Sequence, residues 1–566
     1  MELEWTGGDP VKLAETVQKR LAKGDLQATL DLVRFASSLQ DCVVSWNHII
    51  DHFMTEGRAT QALKIYNEMK KRGQKPDAYT YMIVLRGLGN HAHHSSSVGN
   101  ALAVYHSMSA PNSPVPPSVM HSNAVLRVCS RANDMDALWG VAAKLPEKGP
   151  GAADAFTYTT ILQAIRNHAL ITPDGMSEDD VAHKREEAIV DGRRMWVDIV
   201  AKWRSGDIII DEPLVCAMGQ LLLIGKRPRD WDDVLSLFAQ TMDIPRLLRH
   251  LGDDRKAKMP LPTTPQDMKT EDSTQIDPTD NMRRGGEFDP VELGKTVGRG
   301  RRSMAFAKPG NSSLSVILHS CWKMVAKKAA EDYFHLLTDS DSWGIAPDEA
   351  NLHMYLRILR QARASAAAVE FLKDEFDGGR FRIGMKPQAK TFRIAMSTCV
   401  RDKNNPNVLD HANSILDMMA TFLADLDMRT LAMYTRLLMS VSQTDQLLKS
   451  LERLGPHFVN VKRMLRNDER KPLAQEDWDA ALEFLYGMIS CYDRLKNKRD
   501  LPQEHYAVLM ERKAKIHAFY GREILKREKR QGKDVRNPEL NPGRRVELKA
   551  KRRREEESMG QVNEED

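Results

Sequence analysis

The chain has 566 residues, of which 42% are hydrophobic and 28% charged, and its formal net charge is +5 at pH 7. This composition is typical of a helical protein that folds in water, and no apolar run approaches the ~18 residues that a membrane-spanning helix needs. The six cysteines are scattered and form no Cys-x-x-Cys pair, which speaks against a zinc site or a disulfide framework. They are Cys42, Cys129, Cys216, Cys321, Cys399 and Cys491.

Charge is distributed unevenly along the chain. Residues 521–554 carry 14 Lys and Arg against 5 Asp and Glu, whereas the last twelve residues, EEESMGQVNEED, carry a net charge of −6. The first 520 residues therefore have a net charge of only about +2. A repeat array with almost no net charge weighs modestly against phosphate binding, which needs Lys and Arg. A basic inner face balanced by acidic outer faces would, however, give the same net charge.

The N-terminal residues 1–42 are predicted to form a capping pair of helices, over about 10–22 and 25–38. The stretch VVSWNHIIDHFMTEGRATQALKIYNEMKKRGQKPD at 43–77 then has apolar residues at helical spacing in both of its halves. Gly57 and Gly73 stand where a turn and a helix C-cap belong. A single helical hairpin leaves apolar surface uncovered, so the pattern predicts stacked copies of this unit.

Copies of the hairpin follow directly along the chain. Further units are predicted over 78–118, 119–154 and 155–211, and EPLVCAMGQLLL with DWDDVLSLFAQTM supplies a fifth, which completes an array over 43–251. From 252 to 310 the periodicity stops, and Pro, Thr, Asp and Gly dominate. Such a composition predicts a disordered insert, which limited proteolysis is expected to cut first.

The second half repeats the pattern less regularly. Four candidate first helices, around Leu314, Leu352, Phe392 and Tyr434, predict a degenerate array over 311–465. Residues 466–531 are predicted to form two longer helices, over about 475–496 and 503–531. The remaining tail, 532–566, is predicted to be disordered, first basic and then acidic.

A 35-residue helical hairpin that ends in Lys-Pro-Asp resembles the pentatricopeptide repeat (PPR) family, and the likeness is specific over 43–165. The rival tetratricopeptide repeat has a W-x2-L-G-x2-Y run that is absent here, whereas Trp46-Asn47 and Pro76-Asp77 favour PPR. The resemblance implies an all-α, right-handed α-α superhelix (solenoid) of about nine repeats. It also implies single-stranded RNA as the partner, with one repeat meeting one base.

In PPR proteins the fifth and last residues of a repeat select the base, and the second residue flanks it. Carried over to this chain, the resemblance assigns the pairs Asn47/Asp77, Met82/Ser118, Asn123/Asp154 and Thr159/Asp211 to the first four repeats. The flanking residues are Val44, Tyr79, Met120 and Phe156. The family's associations imply the core sequence 5′-UNUG. Ser315, His353, Arg393 and Thr435 are the corresponding fifth-position candidates in the second half.

A second interpretation applies to the last-position residues. Each of Asp77, Ser118, Asp154 and Asp211 stands just before a helix, where Asp and Ser are favoured N-caps for backbone reasons alone. Asn47 and Asn123 point more clearly to a base contact, because Asn in a first helical turn has poor helix propensity.

Two further motifs have ordinary explanations. His91, His93 and His94 lie in a Ser-rich loop without Cys or carboxylate partners at ligand spacing, so a loop is favoured over a metal site. Gly294-Lys295-Thr296 lacks the first glycine of a phosphate-binding loop, since Asp289 stands in its place. No cofactor, metal, small-molecule substrate or catalytic residue is predicted, because no appended deaminase or nuclease pattern follows the repeats.

The favoured function is binding of mitochondrial mRNA or rRNA for processing, stabilisation or translation, acting by occupancy. The alternatives are a structural PPR-type subunit of the mitochondrial small ribosomal subunit and a protein-binding helical scaffold. A mitochondrial location is implied by the family alone, because the start MELEWTGGDP has no Arg-rich amphipathic stretch of the transit-peptide kind.

Overall fold

The structure, a computed structural model, describes residues 9–251, 286–290, 305–377, 386–466, 473–497 and 503–530, apart from 112, 150, 174 and 442. Within these ranges it contains 22 α-helices and one 3-10 turn, and no strand. The predicted all-α class of helical hairpins is confirmed. The predicted tail, 532–566, and most of the predicted insert lie outside the described residues.

By internal contacts the chain divides into two units, 1–355 and 356–566. The helices of the first unit are α1 (Pro10–Ala22), α2 (Leu26–Ala36), α3 (Val43–Thr55), α4 (Ala59–Lys71), α5 (Ala78–Asn90), α6 (Ser97–Met108), α7 (Val119–Ala132), α8 (Met135–Ala142), α9 (Ala155–Leu170), α10 (Glu178–Ser205), α11 (Glu212–Leu222), α12 (Pro228–Met242), α13 (Asn311–Lys323) and α14 (Lys327–Thr338). Helix α15 (Glu349–Gln361) begins in the first unit and ends in the second.

The odd-numbered helices of the first unit form a continuous row. Each packs against the next, from α1 through α3, α5, α7, α9 and α11 to α13, and each also packs against its hairpin partner. The approach of α5 to α3 depends on Gly87, where an added Cβ would lie 2.5 Å from the Cγ of Met54. The row of first helices is therefore the element that lines up equivalent positions of successive repeats.

Short N-terminal caps start these helices. The carboxylates of Asp77, Asp154 and Asp211 each accept a hydrogen bond from the backbone N–H three residues further on. The N-cap interpretation of these residues therefore holds in the structure, and it fixes where each first helix begins.

The second unit is built in the same manner. Its helices are α16 (Ser365–Asp377), α17 (Ala389–Arg401), α18 (Val408–Phe422), α19 (Met428–Leu438), α20 (Thr444–Arg466), α21 (Gln475–Lys496) and α22 (Gln503–Arg530). Here α17, α19 and α21 form the row of first helices, and α22 packs on α21. The two long C-terminal helices thus match the predicted 475–496 and 503–531 almost residue for residue.

Five described residues inside the predicted insert are packed against the first unit. Phe288, in the 3-10 turn Gly286–Phe288, is fully buried, with its ring centroid 6.3 Å from that of Trp196. Gln240 Nε2 donates to the carbonyl oxygens of Glu287 and Asp289, at 3.0 and 2.8 Å. The segment 286–290 is therefore anchored on the second helices α10 and α12. Helices on both sides of the insert, α11 and α13, pack together, so the repeat array continues across it.

A buried charge cluster lies beneath this anchor. Arg193 Nη2 donates to Asp230 Oδ1 at 2.7 Å and to Asp233 Oδ2 at 2.6 Å, and its guanidinium lies 5.3 Å from the centroid of the Phe288 ring. Burial raises the pKa of the Asp233 carboxyl to about 6, because desolvation outweighs the attraction of Arg193. Burial likewise raises the pKa of Asp230.

The raised pKa of Asp233 predicts a pH-dependent stability. The folded state binds this proton more tightly than the unfolded state does, so the stabilisation is complete below about pH 4 and is lost as the pH rises through about 6. We therefore compare the unfolding free energies of the wild type and of Asp233→Asn. The difference, wild type minus variant, should decrease by about 2 kcal/mol as the pH rises from 4 to 7. Denaturant melts of both proteins across this pH range check the prediction, with Asp191→Asn, an exposed aspartate on the same helix as Arg193, as the control.

All six cysteines are buried and free. Burial raises the pKa of the Cys129, Cys216, Cys321, Cys399 and Cys491 thiols to about 12, so these groups stay protonated. Among the described residues, no helix is long and apolar enough to cross a bilayer.

Candidate nucleic-acid interface

The N-cap of each first helix defines equivalent positions along the row. In α3, α5, α7 and α9 the caps are Cys42, Asp77, Ser118 and Asp154. Counted from these caps, the predicted flanking residues are the second residue of each helix, and the predicted base-selecting residues are the fifth. The structure therefore places all four repeats in the register that the sequence predicted.

The four flanking residues form a row of exposed apolar side chains. Val44, Tyr79, Met120 and Phe156 have 51%, 77%, 63% and 50% of their surface exposed. A single exposed apolar residue needs no explanation, but the same position exposed in four successive repeats does. Flat or flexible apolar side chains at repeat spacing can stack on the faces of successive bases.

The first repeat holds its polar residues in one hydrogen-bonded cluster. Asn47 Nδ2 donates to Asp77 Oδ1 at 3.2 Å, and Thr80 Oγ1 donates to Asn47 Oδ1 at 2.7 Å. The backbone N–H of Thr80 donates to the same Asp77 oxygen at 2.7 Å. Asp77 therefore caps α5 and also holds the side chain of Asn47 in the preceding repeat.

The third repeat has the same cluster with nearly the same geometry. Asn123 Nδ2 donates to Asp154 Oδ1 at 3.1 Å, and Thr157 Oγ1 donates to Asn123 Oδ1 at 2.7 Å. Asn47 and Asn123 are only 7% and 6% exposed, whereas their flanking apolar residues are open to solvent. Each amide is thus set at the base of a shallow slot. We call each set of Asn, Asp and Thr a polar triad.

The second repeat, between the two triads, has a different arrangement. Met82 takes the place of the Asn, and His121 that of the Thr. His121 Nδ1 lies 2.7 Å from Ser118 Oγ, and its Nε2 lies 3.2 Å from the carbonyl oxygen of Ala78. A donating Nε2–H leaves Nδ1 as an acceptor for Ser118, so the ring is the neutral Nε2–H tautomer. The Met82 side chain has no N–H or O–H group, so this position differs chemically from the two asparagine positions.

The fourth repeat also lacks a triad. Thr159 Oγ1 donates to the carbonyl oxygen of Ala155 in its own helix at 2.8 Å, and exposed Asp211 accepts from the backbone of Leu214 at 3.1 Å. Leu214 stands where the triads have Thr, so no hydroxyl bridges the two repeats. The predicted pair Thr159/Asp211 is not joined by a hydrogen bond in the part of the chain that the structure describes.

A cavity of 320 Å³ opens beside the third repeat. It is lined by Met120 and Phe156 on the apolar side and by Asn123, Asp154, Arg127 and Arg131 on the polar side. Arg131 donates to the Gly89 carbonyl oxygen at 2.9 Å and to Asn90 Oδ1 at 2.8 Å. Partial burial and, to a smaller extent, the neighbouring Arg127 charge lower the pKa of Arg131. Exposed Arg127 has no ion pair or hydrogen bond to another described residue.

In the second unit, ion pairs occupy the corresponding face. Arg393, at the fifth position of α17, donates from Nε to both carboxylate oxygens of Asp427 at 2.9 Å. Arg429 pairs with Glu476 and Asp477, and Arg436 pairs with Glu483, across α19 and α21. In each of these pairs the arginine charge is neutralised by a carboxylate. None of these arginines is therefore left unpaired to contact a phosphate.

The predicted slot residue Thr435 does not lie at the fifth position. Asp427 caps α19, which makes Ala432 the fifth residue, and Thr435 is buried one turn further along. Its hydroxyl donates to the carbonyl oxygen of Ala432 at 2.9 Å, and an added Cβ at Gly487 would lie 2.4 Å from it. The sequence pattern placed Tyr434 at the position equivalent to Trp46, whereas in the structure Leu431 is the fourth residue of its helix, as Trp46 is in α3. Thr435 is therefore a packing residue.

Sequence reasoning missed one capping side chain. Glu212 Oε1 accepts from the backbone N–H groups of Gly310 and Ser313 and from Ser313 Oγ, each at 2.9 Å. It caps α13 from the first residue of α11, in place of a side chain at the Gly310 N-cap. The two partners are separated by 98 residues, so no local pattern could reveal the contact. Among the described residues, no group of three or more His, Cys, Asp or Glu side chains is arranged so that it could hold a metal ion.

The structure is that of an α-helical repeat protein whose first helices expose the same position in four successive repeats. The PPR repeat family matches residues 41–90, which cover the first predicted unit, 43–77, and the first helix of the second. The pentatricopeptide repeat-containing protein 2, mitochondrial, of Schizosaccharomyces pombe is 24% identical over 45% of this chain and 56% of its own length. The N-terminal part of the chain is thus similar to pentatricopeptide repeat proteins.

Other similar proteins match a smaller part of this chain or have a lower sequence identity to it. The mitochondrial pentatricopeptide repeat-containing protein OGR1 of rice (Oryza sativa subsp. japonica) is 27% identical over 26% of this chain and 23% of its own length. The chain thus spans about half or less of the length of these two relatives. The solved structure of PPR10 with an 18-nucleotide psaJ RNA element is 14% identical, with a TM-score of 0.29 over 93% of this chain and 80% of that one.

Proposed function

We propose that the protein binds single-stranded RNA through the row of first helices α3, α5, α7 and α9. The observation that carries this proposal is the recurring slot itself. An exposed apolar side chain flanks a buried, oriented amide in the first and third repeats, and the cavity beside Asn123 is open between Met120 and Phe156. Stacking on an apolar or aromatic face, combined with hydrogen bonds to the base edge, is how single-stranded bases are recognised.

Sequence selectivity follows from the difference between the slots. Each triad amide has one N–H and one oxygen lone pair left after its internal hydrogen bonds, and these can pair with a base edge. The second slot, with Met82, is expected to accept any base, and the fourth, with Thr159, offers only a hydroxyl already bonded to its own helix. The proposed core is 5′-UNUG, in which U at the first and third positions is the firmest part.

Selection from randomised RNA tests this directly. The full chain, incubated with an RNA library and sequenced after several rounds of binding, should enrich U at two positions separated by one variable base. Enrichment without any U-N-U spacing would show that the slots do not read bases. In a separate experiment, crosslinking in cells followed by sequencing of the bound RNA would identify the transcript.

The charge at the third slot predicts a phosphate contact. Arg127 is exposed and unpaired within the described residues, and a phosphate beside it would relieve its repulsion with Arg131. We expect Arg127→Gln to weaken all RNAs by a similar factor and to reduce the slope of log Kd against log salt concentration by about 0.7, the value for one phosphate on a single strand. The matched control is Arg194→Gln, an exposed arginine on the second helix α10, whose slope should equal that of the wild type.

The process and location rest on family resemblance. Two relatives are mitochondrial proteins by name, which supports a mitochondrial role in RNA processing, stabilisation or translation. The second unit supports the alternative of a structural subunit of the mitochondrial small ribosomal subunit, because ion pairs such as Arg393–Asp427 fill its equivalent of the slots. Sedimentation separates the two: a constitutive subunit would co-migrate with the small ribosomal subunit in stoichiometric amounts.

A further inference from the structure

We propose that Thr80 and Thr157 are positioning residues: their hydroxyls hold the amides of Asn47 and Asn123 in one orientation, so that these slots distinguish uracil from cytosine. This inference rests on the proposed RNA-binding function and names a determinant of its selectivity. Both threonines are fully buried, so neither touches a base itself. Each acts through the asparagine of the preceding repeat.

An asparagine amide alone discriminates poorly between these two bases. Rotation of the amide by 180° about its last side-chain bond exchanges its N–H donor and its oxygen acceptor. Uracil and cytosine differ by the same exchange, because N3–H and O4 of uracil become N3 and N4–H₂ in cytosine. A freely rotating amide can therefore pair with either base, whereas a locked amide matches only one.

In both triads, two contacts lock the amide. A rotated Asn47 would bring its oxygen, instead of its N–H, to the carboxylate of Asp77, where the present contact is 3.2 Å. At the other end, Thr80 Oγ1 lies 2.7 Å from the amide oxygen. That hydroxyl accepts from the Asp77 backbone N–H at 3.2 Å, and its single proton is shared between the amide oxygen at 2.7 Å and Asp77 Oδ1 at 2.8 Å.

The same three contacts recur in the third repeat. Asn123 contacts Asp154 at 3.1 Å and Thr157 at 2.7 Å, and Thr157 Oγ1 accepts from the Asp154 backbone N–H at 3.1 Å. The second repeat has Met82 in the slot and His121 in place of the threonine. The His121 ring contacts the backbone carbonyl oxygen of Ala78 instead of an amide. The fourth has Leu214 there. Within these four repeats, the threonine hydroxyl thus occurs only where the slot contains an asparagine.

The test compares the affinity of the full chain for two RNAs, one with U-N-U and one with C-N-C in the same flanking sequence. For Thr80→Val with Thr157→Val we expect the preference for U over C to fall by about fivefold at each site, since one hydrogen bond to each amide is lost. Thr80→Ser with Thr157→Ser keeps the hydroxyls and should restore the wild-type ratio. A merely structural role would weaken both RNAs equally and lower the melting temperature without changing the ratio.

A second pair of variants removes the other half of the lock. Asp77→Asn with Asp154→Asn keeps an N-cap residue but removes the carboxylate that repels a rotated amide oxygen. The affinity for the C-N-C RNA should rise, and the ratio should approach one. An unchanged ratio in this pair would show that the hydroxyls alone hold the amides. If the valine variants fail to fold, the threonine introduced into the second repeat, described below, decides the question, because equal discrimination with and without His121→Thr would overturn the inference.

The outcomes for the two proposals are distinguishable. A wild-type chain that binds neither RNA would overturn the RNA-binding function and this inference with it. A wild-type chain that prefers U, with folded valine variants that keep the same preference, would overturn the positioning role alone.

The second repeat allows a gain of selectivity as an independent test. Met82→Asn, Ser118→Asp and His121→Thr together would create a third triad between the existing two. We expect this variant to prefer U over C at the second base, where the wild type has no preference. The same variant without His121→Thr should discriminate less well, because its amide oxygen lacks the hydroxyl donor.

Discussion

Replacing Asn47 and Asn123 together by alanine is expected to abolish the preference for uracil at both predicted positions. Each amide is the polar group set between exposed apolar neighbours, and a good base contact accounts for about 1–3 kcal/mol of discrimination. The double variant should therefore bind U-N-U and A-N-A sequences almost equally. Fluorescence anisotropy with the two RNAs measures the loss.

Stability should change little in this variant. The Asp77 carboxylate would still accept from the Thr80 backbone and hydroxyl at 2.7 and 2.8 Å, so the cap of α5 remains after the amide is removed. The helical content and the melting temperature are expected to stay close to those of the wild type. Met82→Ala is the matched control, because it alters the same position in a repeat that has no amide and should leave base preference unchanged.

An unchanged RNA preference in the double alanine variant would show that the repeats are a scaffold. The ribosomal interpretation would then be favoured, and the ion-paired face of the second unit would be the better guide to the whole chain. In that case the exposed row from Val44 to Phe156 would be expected to contact protein or rRNA without reading bases. The experiment therefore separates the two functional classes with a single pair of substitutions.

The helical framework could be predicted from the sequence because its signals are local. Apolar residues at helical spacing, and Asp or Ser just before a helix, fix the start of α5, α7 and α9 to the residue. The slot positions then follow by counting. The same counting failed at Thr435, because two apolar residues three apart, Leu431 and Tyr434, both fit a helical stripe, and only the cap at Asp427 decides between them.

Contacts between distant residues could not be predicted in the same way. Asn47 and Asp77 were proposed as partners in base selection, but nothing in local spacing shows that their side chains bond to each other or that Thr80 completes the cluster. Glu212 and the segment 286–290 are more distant still from the groups they contact. A composition rich in Pro, Asp and Gly predicted disorder for this segment, but one aromatic residue, Phe288, gives it a buried anchor.

Arg193→Met is expected to destabilise the first unit by about 3–5 kcal/mol, the usual cost of removing one partner from a buried ion pair. The side chain is 10% exposed, and Asp230 and Asp233 are more deeply buried. Methionine fills much of the same volume but removes the hydrogen-bonded cation from both carboxylates, and Asp233 keeps only the longer contact with Arg229 at 3.7 Å. The Phe288 ring also loses the guanidinium packed 5.3 Å from its centroid, so the anchor of 286–290 is weakened as well.

Urea unfolding of the full chain, followed by circular dichroism, measures the effect. Arg194→Met is the matched control: this neighbouring arginine is exposed, and surface substitutions usually change stability by less than about 0.5 kcal/mol. Adding Asp230→Asn and Asp233→Asn to Arg193→Met removes the uncompensated charges and should recover much of the loss. If Arg193→Met is no more destabilising than Arg194→Met at pH 7, the two carboxyls are already neutral in the folded protein. Their pKa values would then lie above 7, and the pH dependence of Asp233→Asn would shift upward with them.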